Sequence, residues 1–261
     1  MLSEERIQRI VEFLVLNRTA SVYSLQKQLG VSGSTIRKDL TFLEKRGMLR
    51  RVHGGAILIE FQEPSIPLFV DPSYKERYDC NLHEKTKIGE TAAELVENEE
   101  TIMIDGGTTT LQVARELSRK KRELTVVTNG INICTELIKS NNLEIVLSGG
   151  YLRRKNLSMI GEIAGSMIGK YTASKAVLGI NGISTSRGLT TPHLFEAEIK
   201  KSMIKNSKQL IIVADATKIG KVSLMAVAPL SAVHFLVTDN RVTDEQILEL
   251  KRAGIREVIK A

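Results

Sequence analysis

The chain runs to 261 residues, 42% of them apolar, with no stretch of about 18 apolar residues, a balance that excludes both a membrane-spanning helix and a disordered polyelectrolyte. Its net charge of +7 is unevenly spread: residues 1–60 carry ten Lys and Arg against six Asp and Glu, and the other 201 carry 27 against 24. A small polyanion-binding head on a nearly neutral body is the expected arrangement. Cys80 and Cys134 make no C-x-x-C motif, and the four histidines have no metal-ligand spacing. Neither a disulfide framework nor a metal nor a cofactor is therefore expected, and with no signal peptide the sequence reads as cytoplasmic, with reduced thiols.

In chain order, Ser3 reads as the cap of a first helix, with Glu4 and Glu5 in its first turn and Ile7, Ile10, Val11 and Leu14 as its buried stripe. Ser21 caps a short second helix over residues 22–29, and Gly30-Val-Ser makes a tight turn. Ser32 then caps a third helix, in which Ile36, Leu40 and Leu43 form one apolar stripe and Gly47 ends the run. Two helices joined by a short turn containing Gly are a helix-turn-helix signature. The outward residues Ser32, Ser34, Thr35, Arg37, Lys38, Thr41 and Lys45 suit the major groove of double-stranded DNA. A guanidinium can fork onto a guanine edge, while hydroxyls and ammonium groups hold phosphates. Residues 48–58 have strand-like ends around Gly54-Gly55 and predict a β-hairpin wing, which places Arg50, Arg51 and His53 along the DNA backbone or in a minor groove.

Residues 1–59 are thus read as a winged helix-turn-helix DNA-binding domain. Residues 60–80, with Pro64, Pro67 and Pro72 and no clear periodicity, are read as a linker. From residue 81 to 261 strand-like and helical runs alternate, which predicts an α/β domain with a mostly parallel sheet. Almost every strand there ends in glycine or small polar residues: Asp105-Gly106-Gly107-Thr108-Thr109-Thr110, Thr128-Asn129, Gly149-Gly150, Asn181-Gly182 and Asp215-Ala-Thr-Lys218. Such strand ends line the ligand crevice of open α/β sheets. Gly106 and Gly107 let backbone N–H groups approach an anion at a helix N-terminus, the threonines add hydroxyls, and Lys218 adds a cation. A phosphorylated polyol is the expected ligand. The loop is neither a Walker A loop nor a G-x-G-x-x-G fingerprint, which argues against a nucleotide.

The run Thr35-Ile-Arg-Lys-Asp-Leu40, with Arg6-Ile-Gln-Arg-Ile10 and Arg51-Val-His-Gly-Gly-Ala56, resembles the DNA-binding head of the bacterial deoxyribose-operon-repressor (DeoR) family. The body resembles the effector domain of the same regulators through Glu84-Lys85, Ile88-Gly89, the Asp105 loop, Thr128-Asn129, Gly188-Leu-Thr-Thr-Pro192 and Asp215-Ala-Thr-Lys-Ile-Gly220. That effector domain is similar to ribose-5-phosphate isomerase. The resemblance implies a transcription regulator, a repressor by expectation, controlled by a phosphorylated sugar of carbohydrate metabolism and acting as a homodimer or higher oligomer. The alternative is a sugar-phosphate isomerase with an appended head. Against it, the isomerases carry acids in the loop matching Asn181-Gly-Ile-Ser184, and this loop has none. A third reading makes the body a pure oligomerisation domain.

Overall fold

Local hydrogen bonds set the helix boundaries of the N-terminal unit. The computed structural model describes residues 1–59, 73–120 and 123–261, and the chain divides into two compact units, Met1–Phe69 and Val70–Ala261. In the first, α1 (Ser3–Asn17) buries Ile7, Ile10, Val11 and Leu14. Ser3 lies inside this helix and does not cap it: Leu2 takes the extended cap conformation, with no side-chain bond to the first turn. A strand not expected from the sequence, β1 (Thr19–Ser21), follows. Next comes α2 (Val22–Leu29), opened by a reciprocal cap in which Ser21 Oγ accepts from the N–H of Ser24 and Ser24 Oγ accepts from that of Ser21. In α3 (Gly33–Lys45), Ser32 Oγ accepts from the Thr35 N–H at 3.3 Å, and Ile36, Leu40 and Leu43 are buried. Gly47, at φ +70°, turns the chain out of the helix. The wing is β2 (Leu49–Val52) paired with β3 (Gly55–Leu58), and β1 adds to β3 to give the order β1-β3-β2. Arg6 of α1 grips Asp39 of α3 with two bonds, 2.5 and 3.0 Å, which ties the first helix to the back of the third.

The second unit begins with α4 (Tyr74–Asp79) and α5 (Leu82–Glu94). The stretch read as a linker therefore ends in a helix, nucleated by a capping box between Ser73 and Glu76; residues 60–72 lie outside the described residues. The chain continues through β4 (Thr101–Ile104), α6 (Thr108–Lys120), β5 (Leu124–Thr128), α7 (Ile131–Leu137) and β6 (Leu143–Leu147). A hairpin of β7 (Tyr151–Arg153) and β8 (Ser158–Ile160), then α8 (Glu162–Ile168), lead into β9 (Ala173–Gly179). Beyond it come β10 (Gly182–Ser184), β11 (Gly188–Thr191), α9 (Leu194–Lys205), β12 (Ser207–Val213), β13 (Met225–Ala228), β14 (Phe235–Thr238), α10 (Asp244–Arg252) and β15 (Glu257–Lys260).

Seven of these strands form one sheet in the order β15-β14-β12-β9-β4-β5-β6, every neighbouring pair parallel. Its central strands are near-continuous apolar runs, as burial on both faces demands, with Ile102, Met103, Ile104, Ala176, Val177, Leu178, Ile211 and Ile212 fully buried. From β4 the sheet grows outward one way through β5 and β6; from β9 it grows the other way through β12, β14 and β15. The strand order reverses between β4 and β9, and at that seam adjacent loops leave in opposite directions and open a crevice at the strands' carboxyl ends. A small antiparallel sheet, β10-β11-β13, lies outside the main one.

Candidate functional site

A cavity of about 280 Å³ occupies that crevice. Asp105 ends β4 and Gly179 ends β9, and the two are joined directly: the Gly179 N–H donates to Asp105 Oδ1 at 3.0 Å. The Lys200 ammonium, from α9, donates to Asp105 Oδ2 and, at 2.9 Å, to the Gly179 carbonyl. Both charged groups are buried, 3% exposed for Asp105 and 7% for Lys200, so each satisfies a charge the other could not leave unpaired. A second network starts at Glu196 of α9, which accepts from Asn156 Nδ2 and pairs with Arg153 at 3.2 Å. Asn156 Oδ1 in turn accepts from Arg77 of α4 at 2.5 Å.

After Asp105, the Gly106 N–H donates to Asn129 Oδ1 at 3.0 Å, and Asn129 Nδ2 donates to the Met159 carbonyl at 2.9 Å. Here the loops after β4 and β5 touch: a Cβ on Gly130 would stand 2.6 Å from the Gly106 Cα, so only glycine fits. Gly106, Gly107, Thr108 and Thr109 line the cavity where α6 begins, which brings that helix's free N–H groups and its positive dipole end to the same wall.

Lys85, from α5, is buried, and its ammonium donates to the carbonyls of Arg77 and, at 2.6 Å, Cys80. Burial draws its pKa below the usual lysine range; the charge of Asp215 opposes this and that of Lys218 adds to it. Asp215, at the end of β12, accepts from Asn81 at 3.2 Å and from the Thr217 N–H at 3.1 Å, with Lys218 Nζ 4.0 Å away. Asp239 holds this loop by accepting from the Ala216 N–H at 2.8 Å and from Arg241 at 2.7 Å. Burial raises the Asp239 carboxyl, but the bonds from Arg241 and from the two backbone N–H groups outweigh it and bring the pKa down to about 2.

In the head, Ser32, Ser34, Arg37, Lys38, Lys45, Arg50, Arg51 and His53 are exposed, and Thr35 and Thr41 are half-buried. The three hydroxyls of Ser32, Ser34 and Thr35 form one cluster, with Ser32 Oγ 2.8 and 2.9 Å from the other two. Thr41 is engaged internally: its hydroxyl donates to the Arg37 carbonyl at 2.8 Å and accepts from Arg51 at 3.0 Å. Arg51 also donates its backbone N–H to Glu44, so it fastens the wing to α3.

Two family models match these two units: the DeoR-like helix-turn-helix domain over residues 6–62 and the DeoR C-terminal sensor domain over residues 80–240. The chain belongs to the DeoR family. This DeoR-family regulator is 34% identical to the HTH-type transcriptional regulator GlpR of Haloferax volcanii over 258 residues, 99% of this chain and 98% of that one. It is 33% identical to the HTH-type transcriptional repressor GlcR of Bacillus subtilis over 239 residues, 92% and 89% of the two chains. Among solved structures, ribose 5-phosphate isomerase A of Methanocaldococcus jannaschii aligns at TM-score 0.40 and 15% identity, over 54% of this chain and 56% of that one. The sorbitol operon regulator SorC of Klebsiella pneumoniae aligns at TM-score 0.39 and 10% identity, over 98% and 96%.

Of the residues expected at the regulator's ligand site, the cavity gathers Asp105, Gly106, Gly107, Thr108, Thr109, Asn181 and Lys218. Thr110, Thr128, Asn129, Gly149 and Gly150 are not among its lining residues. Thr128 Oγ1 accepts from the Gly130 N–H at 3.0 Å, Asn129 holds the Gly106 loop, and Gly149 and Gly150 adopt φ of +65° and +108° in the turn before β7. Arg77, Asn156, Glu196 and Lys200 line the cavity without having been singled out from the sequence, whereas Asp215 figures there only as the start of a strand-end loop and Lys85 only in the family resemblance. Carboxylates therefore do reach the site, from elements other than the loop at Asn181. The clearest overlooked signal is Glu196 and Lys200: they stand at i and i+4 in a helix whose Leu194, Phe195, Ala197, Ile199 and Met203 are all buried. Charges at that spacing inside a buried helix must face a polar interior. Among the described residues, no helix is long and apolar enough to cross a membrane, and no cluster of His, Cys, Asp or Glu could hold a metal ion.

Proposed function

We propose that this regulator represses a carbohydrate-metabolism operon and that a phosphorylated sugar in the crevice between β4 and β9 sets its operator affinity. The observation that carries the reading is the composition of that cavity. Lys85, Lys218 and the start of α6 supply positive charge and N–H donors for a phosphate, and Asp105, Asn181 and Glu196 supply partners for hydroxyls. At about 280 Å³ it lies at the small end of ligand sites, which suits a sugar monophosphate and excludes a dinucleotide. In the head, Arg37 and Lys38 stand on the exposed face of α3 as groove readers, with Arg50 and His53 on the wing as backbone contacts. One head spans only part of a DNA turn, so a homodimer or larger assembly with heads about 34 Å apart completes the operator contact.

Turnover is not expected. The cavity's carboxylates are already engaged, Asp105 by Lys200, Glu196 by Arg153 and Asn156, Asp215 by Asn81 and Thr217. A carboxylate whose oxygens are already engaged by a cation or several donors is not placed to take a carbon-bound proton. A thermal-shift screen of sugar phosphates beside their unphosphorylated parents tests the reading. A cognate ligand at a hundred times its Kd stabilises by about 2.7 kcal/mol, a rise of roughly 5–10 °C. A parent sugar that protects as well as its phosphate overturns the phosphate assignment; multiple turnovers in an isomerase assay revive the enzyme.

A further inference from the structure

We propose that α4 is the element through which the cavity reports its occupancy to the rest of the chain, and that Lys85 is the latch that docks it. The proposal rests on the reading of the cavity as an anion-binding sensor site.

Helix α4 is six residues long, and none of them is fully buried. Tyr74 and Tyr78 pack against the edge of the core, and polar bonds hold the rest. Lys85 donates to the carbonyls of Arg77 and Cys80, Arg77 donates to Asn156, Asn132 donates to the Tyr74 hydroxyl at 3.1 Å, and Arg115 donates to the Tyr78 hydroxyl at 3.2 Å. Stacking of Tyr74 on Tyr78, with centroids 6.2 Å apart, adds to these. With no fully buried residue, and with only Tyr74 and Tyr78 packed against the core, so short a segment opens at less than the global unfolding free energy. The same segment supplies Glu76, Arg77 and Cys80 to the cavity wall. It is also the first described element of the second unit, which begins at Val70 directly after the unit that holds the wing. One short helix is thus both a wall of the ligand site and the described element that stands first in sequence after the unit holding the helix-turn-helix.

Lys85 makes the connection specific. An ammonium has three donors, and two of them end on carbonyls at the C-terminal end of α4. The third is available to an anion in the cavity. Asp215 offsets part of the cost of burying this ammonium, the nearby Lys218 adds to it, and an anion in the cavity offsets more. A bound anion therefore fixes the ammonium, and with it the α4 carbonyls it holds. The ligand binds the docked helix better than the undocked one, and linkage requires that it shift the population toward docking.

Hydrogen exchange of the full-length chain, followed over residues 74–80 with and without inorganic phosphate, tests this. At ten times the phosphate Kd, exchange in α4 should slow about tenfold in the wild type. Tyr78→Phe, which removes a bond outside the cavity, should exchange faster at rest and be slowed by phosphate to the same factor. Lys85→Gln, compared at equal phosphate occupancy, should show no slowing. If Lys85→Gln is protected as much as the wild type, the latch is wrong and Arg77 carries the coupling. If phosphate binds by calorimetry yet α4 exchange is unchanged in the wild type and in Tyr78→Phe, α4 is not the reporter. If phosphate does not bind the wild type at all, the anion-site reading falls and takes this proposal with it. Should Lys85→Gln fail to fold, the wild type and Tyr78→Phe still decide whether α4 responds.

Discussion

Removing either member of the Asp105–Lys200 pair should cost far more than removing both. Asp105→Asn leaves the Lys200 ammonium buried with the Gly179 carbonyl and a neutral amide as its only close partners. Lys200→Met leaves the Asp105 carboxylate, among the described residues, with the Gly179 N–H. Stranding a charge at this depth costs about 3–5 kcal/mol, whereas exchanging a buried pair for neutral groups of similar volume costs little or even stabilises. The double variant should therefore lie within about 2 kcal/mol of wild type, giving a coupling energy on the order of 4 kcal/mol or more between residues 95 apart in sequence. In a domain of this size each kcal/mol moves Tm by about 2–4 °C, so each single variant should melt roughly 6–20 °C lower. The chain has no tryptophan, so far-ultraviolet circular dichroism or calorimetry is the readout. Additive losses in the double variant would refute the argument, because they would mean that neither charge depends on the other.

Four further outcomes follow from the geometry. Lys218→Ala should weaken the sugar phosphate about tenfold by calorimetry; Lys218 is 32% exposed, which places its contribution at the low end for a charge-assisted bond. In operator titrations, Arg37→Ala should relax sequence preference at a cost of about 1–3 kcal/mol, whereas Lys45→Ala should weaken all sequences alike and reduce the salt slope by about one. Asp239 titrates at about 2 against 3.8 when unfolded, so its stabilisation, at most about 2 kcal/mol, is complete above pH 4 and lost as pH falls toward 2. Asp239→Asn should flatten that limb of an acid-denaturation curve. Gly89→Ala would push a Cβ to 2.5 Å from Gln112 Cβ and 2.6 Å from its backbone carbon, where α5 crosses α6; a loss of about 1–3 kcal/mol in a melt is expected, and an unchanged Tm would show that the crossing can relax.

The main sheet was legible because its strands are apolar runs closed by glycine and small polar residues, and each strand end named from the sequence, from Asp105 to Asp215, lies at or just past the end of a strand of that sheet. The short antiparallel pieces β7, β8, β10 and β11 were not. Three- and four-residue strands carry too little alternation to stand out, and Gly182 and Gly188 read equally well as loop. Within the cavity, loop residues such as Asp105 and Lys218 announced themselves through their position after strands. Lys85 and Lys200 did not, because a lysine in a helical run reads as solvated surface until tertiary packing buries it. Arg77 was hidden by the prolines upstream, which made its segment look unstructured although the Ser73–Glu76 capping box was present in the sequence. Arg51, expected on DNA, spends its guanidinium partly on Thr41, a contact across ten residues that no local pattern reveals.

The seam between β4 and β9 has a consequence for biosynthesis. The first unit ends at Phe69, so it is synthesised early in translation. Asp105, by contrast, must wait for Gly179, 74 residues further along, which takes about 4–15 s at ordinary elongation rates. The last strand of the sheet closes only with residues 257–260. A chain cut short between Asp105 and Gly179 carries the helix-turn-helix domain without a complete seam between β4 and β9. Premature stop codons before residue 179 should accordingly yield fragments that lack the Asp105–Gly179 bond and expose a half-built parallel sheet to proteolysis.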